Sequence, residues 1–386
     1  MAHRILHVSN VSRISGAENS LLQLLQGTDR REFEPLAALP GPGPLAQELA
    51  VLGVPAFYAP LVRPRRTLNP VRLASLAVRT AAAAFALAGE TRRQGVCLIH
   101  AHTTAAFRAA GPAARMAGVP CVWHVRDIKR LSPLDRRLGR FAKAAIAVSN
   151  AVLKASGVSR CRGLDVRVVP NGIDADAFES RARRGMFRRE LGLGPDDPLL
   201  LVAAQMVPWK GHRDFLRAVA SVRRSYPRVV AAVAGDDLFG DHPGYVSELR
   251  RLAASLGLEP AVRFLGYRTD IPTLMADADL LVIPSDAEPF GRVALEAMAV
   301  GTPVVGRCAG GLPEVVEDGV TGRLARSVET GAAEAMAQLI SDLLSDPEAR
   351  AAMGKAGRAR VRELFSLERH AAEVCAVYRH ALATGP

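Results

Sequence analysis

Short aliphatic runs rich in β-branched residues alternate along this chain with longer stretches of helical periodicity, and no other feature narrows its fold so far. In the first half the runs are RILHV, PLAAL, VPAFY, VCLIHAH, PCVWHV, AIAVS and VRVVP; in the second they are PLLLVAA, VVAAVAG, VRFLG, DLLVIPS and TPVVG. Helix-patterned segments follow them, for example Ala105 to Ala117 and Arg213 to Arg224. Runs that are apolar throughout belong to parallel strands covered by helices on both faces. The alternation stops in the Arg-, Gly- and Pro-containing stretch from Arg181 to Pro198 and restarts near Leu199. A chain of 386 residues also exceeds the roughly 250–300 that one hydrophobic core holds. The pattern predicts an α/β protein of two doubly wound domains, 1–180 and 198–365, joined by a linker at 181–197. Ligands of such sheets bind beyond the carboxyl ends of the strands. With two sheets, the expected site is a cleft between them.

Composition removes other classes. The longest unbroken apolar run, Ala81 to Ala88, falls short of the ~18–20 residues of a membrane span, so an integral membrane protein is not expected. The opening MAHRILHVSN enters a strand pattern without the charged, apolar and small-residue regions of a leader, which predicts a cytoplasmic protein. Cys97, Cys121, Cys161, Cys308 and Cys375 lack C-x-x-C spacing and read as reduced packing residues. The formal charge of +12 is telling for its placement: residues 1–180 carry 24 Lys and Arg against 12 Asp and Glu, and residues 181–386 carry 26 of each. Nucleic acid, an anionic membrane or a plain solvated arginine-rich surface would each fit such an excess. No nucleic-acid-binding motif occurs, so no nucleic-acid partner is expected and a membrane ranks above it. In the stretch from Arg63 to Arg93, arginines flank an apolar segment in which Leu73, Leu76, Ala77, Thr80, Ala84 and Leu87 share one helical stripe. That predicts either a helix lying on a membrane or one covering the sheet.

Residues 284–305, PSDAEPFGRVALEAMAVGTPVV, concentrate the chemistry. DLLVIPS reads as a buried strand, DAEPFG as the loop at its carboxyl end, and RVALEAMAV as a short helix stopped by Gly301 and Pro303. The amides of the first helical turn, around Phe290, Gly291, Arg292 and Val293, combine with the helix dipole to suit a phosphate. Gly291 lets a ligand reach the backbone. Glu296 falls one turn inside, on the face of Arg292 and Val293, where a carboxylate would accept both hydroxyls of a ribose. Glu288 lies outside the helix, toward the far end of a diphosphate. Acidic residues near a helix N-terminus also answer the dipole with no ligand involved.

EPFGRVALE resembles the E-x(7)-E signature of the retaining GT-B glycosyltransferases of family 4, and the rest of the chain resembles that family in register. RILHVSNVSRISGAENSLLQLL is similar to its opening strand, Gly-rich turn and first helix, and AVSNAVLKA and VVPNGID to the segments that close its N-domain. MVPWKGHRDFLRAVA is similar to its Lys-Gly motif, and VRFLGYRTDIPTLMADADLLVIPS and GGLPEVVEDGVTG bracket the paired glutamates in the family's order. The resemblance implies two Rossmann-like domains facing each other across a cleft: an acceptor-binding domain over 1–180, a nucleotide-sugar-binding domain over 198–365, and a C-terminal helix over 366–386 packed back on the first. The implied activity is retaining, metal-independent transfer of a hexose from a UDP- or GDP-sugar to a glycan hydroxyl, with no cofactor. A lipid-linked glycan in cell-surface polysaccharide or glycolipid synthesis is the main expectation, with the enzyme peripheral on the inner face of the plasma membrane. A soluble small-molecule acceptor, or a non-catalytic membrane-associated partner protein of the same fold, stands as the alternative. Among enzymes a phosphorylase or an epimerase is the runner-up.

Carried onto this chain, the resemblance makes His124, Lys210 and Glu288 catalytic. The donor contacts it implies are Gly16, Gln205, Lys210, Glu288, Phe290, Gly291, Arg292, Val293 and Glu296. Lys210 would pair with the donor diphosphate, or else is a plain surface lysine. Gln205 stands where family members commonly carry arginine, which removes one cation and leaves Lys210, with Arg292 or Arg126 as helper, to carry more of the phosphate charge. Gly16 would bring backbone against the donor, or simply starts a helix. His124 would touch the donor sugar from a strand end, or packs within the sheet. Arg126 and Asp127 lie on the acceptor side. His7, His100 and His102 also end strands; their spacing is not that of a structural zinc site, so no metal is expected and they read as acceptor-side or packing residues. In the family the leaving phosphate takes the acceptor's proton on the same face, which makes Glu288 an orienter of the sugar.

Overall fold

Each apolar run named above forms a strand, because aliphatic side chains on both faces are satisfied only in a sheet covered twice. A computed structural model describes residues 2–64, 68–326 and 331–385. Arg65 and Arg66 of the basic stretch lie outside the described residues. The chain divides into two units, residues 1–172 with 367–386, and residues 173–366.

The first unit runs β1 (His3–Val8), α1 (Gly16–Gly27), β2 (Phe33–Leu39), α2 (Pro44–Val51), β3 (Ala56–Tyr58), α3 (Pro70–Arg93), β4 (Leu98–Ala101), α4 (Thr104–Ala117), β5 (Cys121–Val125), α5 (Pro133–Leu138), β6 (Ala144–Ala147), α6 (Asn150–Ser156) and β7 (Asp165–Val168). Its seven strands are parallel in the order β3-β2-β1-β4-β5-β6-β7. The chain reverses its winding between β1 and β4, so the carboxyl ends of those strands form the switch point where doubly wound sheets bind ligands.

The second unit runs α7 (Ala175–Ser180), α8 (Met186–Glu190), β8 (Leu199–Ala203), α9 (His212–Val222), β9 (Val230–Ala234), α10 (Tyr245–Ser255), β10 (Val262–Gly266), α11 (Ile271–Asp277), β11 (Leu280–Ile283), α12 (Arg292–Ala299), β12 (Val304–Arg307), α13 (Leu312–Val315), β13 (Gly322–Ala325), α14 (Ala332–Ser345) and α15 (Pro347–Leu364). Its parallel order is β10-β9-β8-β11-β12-β13, with the switch point between β8 and β11. Leu200, Val202, Val233, Leu280 and Val282 fill its core against Phe215 and Val219 of α9 and Met336 and Ile340 of α14. A last helix, α16 (Leu367–Ala383), belongs to the first unit: Val374, Val377 and Tyr378 pack with Ile5, Phe33, Leu98 and Val122 under the sheet.

The residues read as a linker are not one. Phe187 is fully buried, and the Asp277 carboxylate accepts hydrogen bonds from the amides of Gly185, Phe187 and Arg188 at 2.5, 2.8 and 3.2 Å. Arg188 then reaches the carboxylate of Asp279 at 2.6 Å. These bonds tie 181–197 to the second unit, so the division falls at Gly172/Ile173, and α7, expected in the first domain, packs with α12 and α15 instead. The cysteines are all free; Cys121, Cys161 and Cys375 are buried, while Cys308 is exposed and is not a packing residue.

Candidate active site

The switch point of the second unit gathers the Lys-Gly motif and the paired glutamates. Beyond β8 the chain passes Gln205 and makes a single 3₁₀ turn, Pro208–Lys210, that ends in Gly211. Beyond β11 it forms the loop from Pro284 to Gly291, which then opens α12. The Trp209 carbonyl accepts from the Asp286 amide at 2.9 Å and so ties the two loops together. Gly211 has φ +75°, and a Cβ placed there would lie 2.0 Å from the Pro284 carbonyl oxygen. Only glycine permits that approach. Gly211→Ala is expected to cost at least ~2 kcal/mol, since strained backbone and rigid main chain are opposed at once; a urea midpoint equal to the parent's contradicts this.

Across the junction Lys210 Nζ meets Glu288 Oε2 at 2.7 Å and also lies 4.4 Å from the centre of the Trp209 ring. The Ser285 hydroxyl donates to the same carboxylate oxygen at 3.2 Å, and the Glu288 backbone carbonyl accepts from the Gly311 amide at 2.7 Å. Glu288 and Ser285 are buried. A buried carboxylate held by one cation and one hydroxyl is oriented, not mobile. Gly291 caps α12 in the left-handed region, φ +101°, and Phe290 is buried edge-on to Phe365, ring centres 6.0 Å apart. One turn along, Glu296 is ion-paired with Arg292. Both site carboxylates therefore hold a cation, Lys210 or Arg292, each of which an incoming diphosphate would compete for.

The metal-free expectation takes no Asp-x-Asp pair to be available, and that is wrong: two occur, Asp174/Asp176 and Asp277/Asp279. Both are structural. Asp174 caps α7 and Asp176 pairs with Arg362 at 2.7 Å, while Asp277 and Asp279 hold the 181–197 segment at the amino end of β11, a strand's length from Glu288.

In the first unit Gly16 starts α1 with open space where a Cβ would stand, and Glu18 closes a capping box with Ser15. His124 stands one residue from the carboxyl end of β5. It is fully buried, its ring stacked on His100 with centres 5.4 Å apart and its Nδ1 3.3 Å from His100 Nε2. Arg126, expected beside Asp127 on the acceptor side, is buried as well. Its guanidinium donates to Ser20 Oγ at 3.0 Å, Asn171 Oδ1 at 2.9 Å and the His102 carbonyl at 3.1 Å, and lies 3.1 Å from His124 Nδ1. Asp127 alone of the pair is exposed.

His7, His100 and His102 complete the group. His7 Nδ1 lies 3.0 Å from His102 Nε2, and His100 Nδ1 lies 2.6 Å from the Tyr378 hydroxyl. Burial lowers the pKa of His7 to about 3 and holds His100, His102 and His124 well below the usual range, with neighbouring Arg126 adding to the effect on those three. All four are neutral. Their ring nitrogens bring a potential ligand set together, those of His7, His100 and His102 within 4.8 Å of one another. A dication there would share an apolar core with the Arg126 guanidinium, a large electrostatic cost. Hydrogen bonding links the rings in part, while His102 Nδ1 and His124 Nε2 are buried with no partner among the described residues.

Ser285, Ser20, Asn171 and Tyr378 were not singled out from the sequence. For Ser285 a signal existed, its position three residues before Glu288; the others meet their partners across 106, 45 and 278 residues.

The family profile described as Glycosyltransferase Family 4 matches residues 14–177, and that described as Glycosyl transferases group 1 matches residues 184–360. The D-inositol 3-phosphate glycosyltransferase of Segniliparus rotundus is 34% identical over 305 residues, covering 76% of this chain and 63% of that protein. The enzyme of that name from Mycobacterium tuberculosis is 35% identical over 294 residues, covering 75% of this chain and 58% of the other. This chain thus spans less than two thirds of the length of the curated relatives it matches. Among solved structures, Anabaena Alr3699/HepE in complex with UDP and glucose has a TM-score of 0.81 at 29% identity, covering 98% of this chain and all of that one. Sucrose-phosphate synthase from Thermosynechococcus elongatus superposes with a TM-score of 0.79 at 21% identity, over 99% of this chain and 100% of its own.

Proposed function

This chain belongs to glycosyltransferase family 4 and has the GT-B fold, and from that premise we propose that it moves a hexose from a UDP-sugar to a hydroxyl of a small polar acceptor, with retention and without a metal. The observation that carries the reading is the junction of Lys210, Glu288 and Ser285 with the N-terminus of α12, all at one switch point. The bond between the anomeric carbon and the β-phosphate oxygen breaks with its electron pair going to the phosphate. Lys210 and the amides at Gly291 stabilise that charge. The acceptor oxygen bonds to the anomeric carbon on the same face, and its proton passes to the leaving phosphate. Glu288, fixed by Ser285, orients the sugar. Glu296 holds the ribose diol. In this reading Gln205, Phe290, Arg292 and Val293 line the nucleotide.

UDP is preferred over GDP because the HepE structure holds UDP. For the acceptor, the curated relatives' name, D-inositol 3-phosphate glycosyltransferase, supports a soluble polyol or polyol phosphate over the lipid-linked glycan that the motifs suggested. The lipid-linked reading, with work on polysaccharide or glycolipid at the inner membrane face, keeps one observation in its favour, the exposed apolar helix α3. A non-catalytic role is disfavoured by the complete Lys210, Glu288 and Glu296 set.

The test is a matrix of UDP- and GDP-sugars against inositol phosphates and lipid-linked acceptors, read by mass spectrometry, with anomeric configuration from NMR and a parallel series in chelator. Product only with a lipid acceptor favours the second reading; activity lost in EDTA and restored by Mg²⁺ removes the metal-free account. Glu296→Ala is expected to weaken UDP binding by ~1–3 kcal/mol, the cost of a buried diol that loses its acceptor. Calorimetry with free UDP measures it, and an unchanged affinity removes the ribose assignment.

A further inference from the structure

We propose that α3 seats the first unit on an anionic lipid surface through a face opposite the one it buries, lying in the headgroup region without crossing the bilayer. Among the described residues α3, 24 residues long, is by length and composition apolar enough to span a membrane, and most of it is not buried. The stripe read from the sequence divides along the helix: Ala84 and Leu87, with Ala83, Ala88 and Thr91, are buried in the half that packs along α4, whereas Leu76 and Thr80 are half-buried and Leu73 and Ala77 are exposed. The outward face carries Val71, Val78 and Phe85, spaced seven apart and 75%, 69% and 68% exposed, with alanines between them. A monomer in water has no use for three large exposed side chains in line.

Charge selects the occupant. Residues 61–89 contain five arginines and no lysine, aspartate or glutamate. Arg72 and Arg79, both exposed, keep the same seven-residue spacing and form a row beside the valines, long enough to lay their stems along the apolar face and place their guanidinium groups at phosphate level. A second copy packed through this face would bring two such rows of like charge together. Anionic lipid neutralises them.

Geometry decides between lying and crossing. The free part, Pro70 to Ala82, is roughly 20 Å long at 1.5 Å per residue, short of the ~30 Å hydrocarbon core. The remaining turns could enter the bilayer only by leaving α4. This surface does not depend on which acceptor the enzyme uses.

Co-sedimentation of the full chain with vesicles tests it, using phosphatidylglycerol mixed with phosphatidylcholine against phosphatidylcholine alone. Binding is expected on the anionic vesicles at low salt, and at least ~10-fold weaker on neutral vesicles or in 1 M salt, where the screening length is ~3 Å. V78D/F85D and R72E/R79E, at exposed positions, should each lose at least ~10-fold of that binding while keeping the parent's circular dichroism. The proposal is overturned if the parent stays in the supernatant with anionic vesicles, or if both variants sediment as it does. It is overturned in favour of a second copy if the parent elutes as a dimer that V78D/F85D splits.

Discussion

Lys210→Ala should lower turnover by at least ~100-fold, the scale set by removing a preorganised group aimed at developing charge. This ammonium sits 2.7 Å from Glu288 and over Trp209, so the protein's own groups fix its position. The substitution has a second consequence: Glu288, buried, keeps only the Ser285 hydroxyl as a side-chain partner among the described residues. A loss of activity could then reflect a loosened loop and not a missing cation. Glu288→Gln separates the two. It frees Lys210 for the diphosphate, so UDP affinity should hold or rise while turnover falls, whereas Lys210→Ala should lose both. Steady-state rates and UDP titration on the pair decide the matter. A Lys210→Ala enzyme within tenfold of the parent would remove Lys210 from the chemistry.

The sheets were legible because their strands are buried on both faces, which leaves uninterrupted aliphatic runs such as PLLLVAA and DLLVIPS. β13 was missed for the opposite reason: Gly-Arg-Leu-Ala at the sheet edge offers Gly322 and Arg323 in four residues. Segment 181–197 looked like a linker because Arg, Gly and Pro dominate it, yet one buried Phe187 and a carboxylate ninety residues away bind it down. The paired glutamates and Lys210 were readable because a strand end and a helix start bracket them at fixed local spacing. What holds those residues was not. The Lys210–Glu288 pair spans 78 residues, and the contact of His100 with Tyr378 spans 278. Local periodicity carries no record of such meetings. Nor could it choose between the two roles left open for the α3 stripe, since a helix with apolar residues on two sides shows which is buried only when its packing partner is known. The choice left open for His124, ligand contact or packing within the sheet, could not be made from its place near a strand end, which says nothing of whether the side chain is covered.

Mild acid is expected to unfold the first unit before it affects ordinary ion pairs. His7, His100, His102 and His124 are neutral in the folded chain, His7 with its pKa near 3 and the others well below the free value of 6.5, because burial withholds water from the charged form. In the unfolded chain each titrates near 6.5, so below that pH the unfolded state binds more protons than the folded one. Stability is complete above pH 6.5 and falls as pH drops, by up to about 1.4 kcal/mol per histidine per pH unit. Four such histidines in one unit make that loss large against the ~5–15 kcal/mol that holds an ordinary domain. Carboxylate pairs such as Glu32 with Arg379 weaken only as pH falls further, since the Glu32 pKa lies below the free value of 4.5. The window between 6.5 and 4.5 therefore belongs to the histidines. One of the two tryptophans, Trp123, is fully buried in β5 and stacked on Phe107 at 4.3 Å, so a Trp209→Phe chain reports on the first unit alone. Its urea unfolding, followed by fluorescence from pH 7.5 to 4.5, should show an uptake of at least two protons. A slope below one proton would mean that the buried histidines are already charged or already solvated, and the neutral hydrogen-bonded stack would be wrong.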